Sequence, residues 1–84
     1  MNKHSEIKNL ITRLEKLQKS GWNYIYSLKN PGLTDGFWNK YGYKISDILD
    51  TLHSEEYIND FREYSKINEN CKYLIGITVG DLFC

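Results

Sequence analysis

Apolar residues return along the start of the chain at helical spacing. Ile7, Leu10, Ile11, Leu14 and Leu17 fall at i, i+3, i+4, i+7 and i+10, which puts them on one stripe of a helix. Lys8, Arg13, Glu15, Lys16 and Lys19 lie off that stripe. Asn2 or Ser5 can cap the first turn, and Gly21 stands where a left-handed residue closes a helix. The period then shortens to two. Trp22, Tyr24, Tyr26 and Leu28 alternate with Asn23, Ile25 and Ser27, and aromatic and β-branched residues in that pattern predict a strand over 22–28. Asn30-Pro31-Gly32 fits a type II turn, with Pro31 fixing φ and Gly32 accepting a positive one.

A short helical passage is expected from Thr34 to Gly42. Helical spacing then resumes at Ile45, Ile48, Leu49 and Leu52, and again at Tyr57, Ile58, Phe61 and Tyr64. These predict two helices, 44–52 and 55–67, with a break near His53 and Ser54 as cap of the second. The tail alternates once more: Tyr73, Ile75, Ile77 and Val79 face one way, Leu74, Gly76 and Thr78 the other. That predicts a second strand over 72–79, buried on both faces. The order is α-β-(α)-α-α-β. The expected fold class is α+β, one domain over residues 1–84, with helices packed on a small sheet made by the two strands.

Composition adds to this picture in two places. Aromatic residues make up 14% of the 84, a share that suits both a small core and an interface. The net charge is zero, but it is unevenly spread. Residues 1–44 carry eight Lys/Arg against three Asp/Glu, and residues 45–70 carry two against seven. The two halves are expected to face each other in the fold. "MNKHSEIKNLITRLEKL" is charged throughout and lacks the apolar core of a secretory signal. With Cys71 and Cys84 read as free thiols, the expected setting is cytoplasmic.

Chemistry is sparse. His4 and His53 are the histidines, and adjacent residues of "HSE" at 53–55 point apart on a helix, so they make no triad. "NPGLTDG" has neither the lysine nor the spacing of a phosphate-binding loop. Carboxylates abound over 47–63, yet none is singled out as an acid or a base. The expectation is no catalytic residue, no metal site and no cofactor.

Binding is better supported. Phe37, Trp38, Tyr41 and Tyr43 exceed what one face of a short helix can bury, so one or two should stay exposed. Glu56, Asp60 and Glu63 fall at i, i+4 and i+7, about 100° round the helix from Tyr57, Phe61 and Tyr64. Carboxylates on a rigid helix can dock on a basic groove, with aromatic neighbours as anchors. The functional expectation is a non-catalytic binding protein that inhibits or neutralises a larger protein, as immunity proteins, antitoxins and phage counter-defence proteins do. Its contacts would be Phe37, Trp38, Tyr41, Glu56, Asp60 and Glu63, and its partner would carry a basic or nucleic-acid-binding surface.

The alternatives are a nucleic-acid-linked regulator and a ligand-binding or homo-oligomeric module. "YLIGITVGDLF" (73–83) resembles the closing segment of repressor-type helix-turn-helix domains. The glutamine-alanine-glycine pattern of their recognition helices is absent upstream. Lys8, Arg13, Lys16 and Lys19 are interrupted by Glu15, which disfavours direct nucleic-acid binding. No stretch approaches the roughly 20 apolar residues of a membrane span.

Overall fold

The apolar stripe of the first helix is where it was expected, but the helix does not stop at Gly21. In the computed structural model, which describes residues 3–27 and 35–83, α1 runs unbroken over Lys3–Ser27. A short α2 (Asp35–Phe37) leads through a π-helical turn (Trp38–Gly42) directly into α3 (Tyr43–Leu52). After a turn at 53–57 come α4 (Ile58–Ile67), a 3-10 segment (Glu69–Leu74) and a final turn of helix, α5 (Val79–Leu82). The break near His53 and the two flanking helices agree with the sequence pattern, except that the second starts at Ile58 and not at 55. The sheet does not: among the described residues there is no strand, and the domain is all-helical rather than α+β.

Both misread strands have a local physical reason. At 22–27 the alternating aromatics serve a helix. Looking down α1, Trp22 lies about 100° to one side of Gly21 and Tyr24 about 60° to the other. Gly21 is buried between them. A Cβ there would stand 3.0 Å from the Phe83 ring and 3.2 Å from the Phe37 ring. So the glycine is a seat for two rings and not a helix end. Trp22 and Tyr26, one turn apart, stack with centroids 5.4 Å apart.

In the tail, Leu74 closes the 3-10 segment in the core while Tyr73 points outward. Gly76 then takes φ of +75°, which turns the chain and ends the alternation. Ile75 and Thr78 are extended, but no second strand meets them. Thr78 starts α5, its N–H donating to the Asp81 carboxylate at 2.9 Å.

The core lies between α1, α3 and α4, closed below by the tail. Ile7, Ile11 and Leu14 of α1 meet Ile45, Ile48, Leu49 and Leu52 of α3 and Phe61 of α4, with Cys71, Leu74, Val79 and Leu82 beneath. Cys71 is a free thiol that donates to Asn68 O at 2.9 Å. The expected cap at Ser54 is also corrected. Its hydroxyl donates back to Thr51 O at 2.6 Å, while its carbonyl accepts from Ile58 N–H at 2.8 Å. The basic half does lie on the acidic half: α1 packs against α3 and α4, and Lys3 reaches Asp60 at 3.9 Å. The Asn30-Pro31-Gly32 turn, Leu28, Thr34 and Cys84 lie outside the described residues.

Candidate functional site

Eight of the twelve aromatic residues gather at the C-terminal end of α1. Phe37 is their hub. It is fully buried and packs edge-on against Phe83 at 5.0 Å and Trp38 at 5.8 Å. Its tilted contacts with Tyr41 and Tyr24 are at 6.1 and 6.5 Å. Trp22 extends the cluster from Phe83 at 5.3 Å to the outermost ring, Tyr26. On the other side Trp38 leads to Tyr43 at 5.7 Å. Rings at these separations and angles are in the favourable tilted and edge-to-face range.

The π turn builds this arrangement. Tyr43 N–H bonds Trp38 O, five residues back, and the widened turn lets the Trp38 indole lie across Gly42. A Cβ on Gly42 would be 2.2 Å from the indole Cε3, which no side chain permits. Single π turns inside helices are frequent at functional sites. Here the turn rotates Trp38 onto the body of the protein and leaves Tyr43 outside. Tyr26 and Tyr43 are 77% and 60% exposed, so the cluster is a packed interior with two rings projecting from it. The Lys40 ammonium sits over the Tyr24 ring at 5.4 Å.

Beside the aromatic end, α1 and α3 enclose a shallow basic cleft of about 450 Å³ lined by Arg13, Lys16, Leu17 and Lys44. Arg13, Lys16 and Leu17 share one face of α1 at i, i+3 and i+4, and Lys44 follows the exposed Tyr43. A second groove, of about 470 Å³, runs between α3, α4 and the tail. Leu49, Ile58 and Ile77 form its apolar floor, with Asp50, His53 and Arg62 among its polar groups.

His53 has a structural task in that groove. Its Nε2 lies 2.9 Å from Leu74 O and 3.1 Å from Gly76 N. With hydrogen on Nε2 the ring donates to Leu74 O. In the other tautomer it accepts from Gly76 N–H. Either way it ties the end of α3 to the turn before α5.

The residues singled out in the sequence fall into two groups. Phe37, Trp38 and Tyr41 lie at the aromatic end, Phe37 as buried support and Trp38 and Tyr41 half-buried. Glu56 and Asp60 lie at or near the start of α4 and Glu63 midway along it, beside the opposite end of α1, where Lys3 donates to Glu56 O at 2.9 Å. A helix rising 1.5 Å per residue sets the two ends roughly 30 Å apart, so the structure does not bring them into one surface. The sequence reading missed Tyr26, which it placed on a core strand, and Lys44. It named Arg13 and Lys16 only among the α1 cations that Glu15 interrupts. The signal for the α1 side of the cleft was the helical spacing of Arg13, Lys16 and Leu17, visible once α1 is known to face α3. No helix among the described residues is long and apolar enough to cross a membrane. Comparison with protein families, with characterised proteins and with solved structures finds no significant match to this chain.

Proposed function

We propose that the chain is a non-catalytic binding protein that holds, and thereby inhibits or neutralises, a larger protein through the aromatic end of α1. One observation carries the reading: two largely exposed tyrosine rings, Tyr26 and Tyr43, each lie against a tryptophan of a close-packed aromatic cluster. Rigid tyrosines lose little entropy on binding and supply both apolar area and a hydroxyl, which makes them favoured interface anchors. The charges on the Tyr43 side are Lys40, Lys44, Arg13 and Lys16, with Asp47 as the acid beside Arg13 and Lys44, so cations prevail there. The partner's contacting face is therefore acidic, a change from the basic partner surface expected from the α4 carboxylates.

The same basic cleft beside exposed rings favours a second reading, single-stranded nucleic acid, in which bases stack on aromatics while cations follow the phosphates. Affinity capture from the source cell separates the two. The protein reading expects one stoichiometric protein retained at about 0.5 M salt, where screening removes exposed charge attraction. That protein is lost when Tyr26 and Tyr43 are both changed to Ala. Recovery of the same protein by the double variant would overturn the assignment of the surface. Nucleic acid alone, released by salt, would move the second reading ahead.

A further inference from the structure

His4, Asp60 and Glu63 are far apart in sequence and meet in the fold. His4 lies in the first turn of α1, and Asp60 and Glu63 lie at i and i+3 on α4. One imidazole nitrogen and one oxygen from each carboxylate all fall within 4.8 Å of one another. We propose that these three side chains form a binding site for a divalent transition ion of the zinc type, clamping the start of α1 to α4.

The donor set selects the ion. Imidazole suits zinc, copper and nickel, whereas calcium asks for six to eight oxygens and magnesium prefers to keep its water. One nitrogen and two carboxylate oxygens supply three of the four positions that zinc takes, at about 2.0–2.2 Å. Tetrahedral donors at that radius stand roughly 3.4 Å from each other. The three donors, now up to 4.8 Å apart, therefore need to close by at most about 1.4 Å, within reach of side-chain rotation for groups that are half-buried or exposed. The His4 ring also meets the Tyr64 ring, centroids 5.9 Å apart and planes at 77°, a packing contact that limits how far the imidazole can swing.

Charge makes the same point and supplies a control. Two carboxylates held together repel unless a cation lies between them, and Lys3 Nζ, 3.9 Å from Asp60 Oδ2, now provides part of that compensation. Lys3 has other holds, on Glu56 O at 2.9 Å and over the Tyr57 ring at 5.2 Å. It can yield Asp60 without coming loose. A bound divalent ion would compete with the ammonium, so removing Lys3 should tighten the site.

The test uses the full chain without a polyhistidine tag, titrated calorimetrically with zinc chloride at neutral pH and followed in parallel by cobalt absorption. The expected result is one ion per chain and a melting temperature that climbs with zinc concentration. His4→Ala and Glu63→Gln should each weaken binding by about tenfold or more, and Lys3→Met should strengthen it. Calcium and magnesium should leave the melting temperature unchanged. Glu63 is exposed, so circular dichroism and melting of metal-free Glu63→Gln should match the parent, whereas metal-free His4→Ala, which gives up the Tyr64 ring contact, should keep the parent's circular dichroism and melt slightly lower. The proposal is overturned by any of three outcomes: no saturable zinc binding, binding unchanged in His4→Ala, or a thiolate-to-cobalt band placing the ion on a cysteine. Changing Tyr26 and Tyr43 to Ala should leave zinc binding intact, so this proposal and the partner-binding surface fail separately.

Discussion

The two ends of α1 are held by opposite kinds of chemistry. At Trp22–Tyr26 the helix is clasped by rings: Phe83 and Phe37 press on Gly21, and Trp22 and Tyr24 flank them. At Lys3–Glu6 it is held by polar contacts. Lys3 reaches Glu56 and Asp60, Glu6 accepts from the Tyr57 hydroxyl at 3.1 Å, and His4 leans on Tyr64. Close packing is strong, short-ranged and indifferent to pH or salt. Exposed charge contacts are weak, screened and tunable. One helix therefore joins a rigid end, fit to present a fixed surface, to an end whose grip responds to solution conditions.

The largest expected effect lies at the rigid end. Phe37 is fully buried and touches four other rings. Phe37→Ala should destabilise the domain by about 3–5 kcal/mol, a large part of the roughly 5–15 kcal/mol that a small domain has. Urea or thermal unfolding followed by tryptophan fluorescence would read it. A loss below about 1 kcal/mol would mean that the rings do not pack as a unit, and the contrast between the ends would collapse.

Gly42→Ala tests the same end with a sign. In an ordinary helix this change gains up to about 1 kcal/mol. Here the new methyl would strike the Trp38 indole 2.2 Å away, so a loss of about 1–3 kcal/mol is expected. A gain would show that Trp38 leaves its seat at little cost. The ring would then be a mobile element rather than a fixed support for Tyr43.

How far the sequence disclosed this depends on which residues carried the signal. The stripe Ile7 to Leu17 and the pair of helices around His53 were legible because burial on one face imposes a 3.6-residue period on its own. The aromatic segment was not, because its pattern is set by contacts distant in sequence. Trp22 and Tyr24 alternate because they straddle Gly21, and Gly21 is needed because Phe37 and, sixty-two positions on, Phe83 pack there. A period-two reading of 22–28 was locally sound and globally overruled. In the tail, "TVGD" held a readable helix start, Thr78 with an acid three residues later. The apolar alternation before it hid that signal. The surplus of aromatics at 37–43 was visible as a surplus, but which ring would project depended on the π turn. His4 with Asp60 and Glu63 could not be seen at all, since its donors meet only when α1 crosses α4.

The smallest effect belongs to the polar end and is recognised by its dependence on pH. The hydrogen bond to Glu6 holds the Tyr57 phenol above the ordinary tyrosine range, with partial burial and the charges of Glu6 and Glu56 adding to it. A group whose pKa is raised on folding contributes stability that is complete below its unfolded value, about 10 for tyrosine, and is lost as pH climbs through the folded one. Tyr57→Phe should therefore be slightly less stable than the parent near neutrality, and the gap should close above about pH 10. Tyr64 and Tyr73 are raised chiefly by burial and lose stability in the same alkaline range. They do so in parent and variant alike, so the difference isolates Tyr57. The Phe37→Ala deficit should stay constant across the same window, because no proton is involved. Denaturant midpoints of the three proteins from pH 7 to 11 would decide it. A Tyr57→Phe gap that does not narrow would mean that the Glu6 contact does not hold this end of α1, leaving Lys3 and the packing of Ile7 to do so.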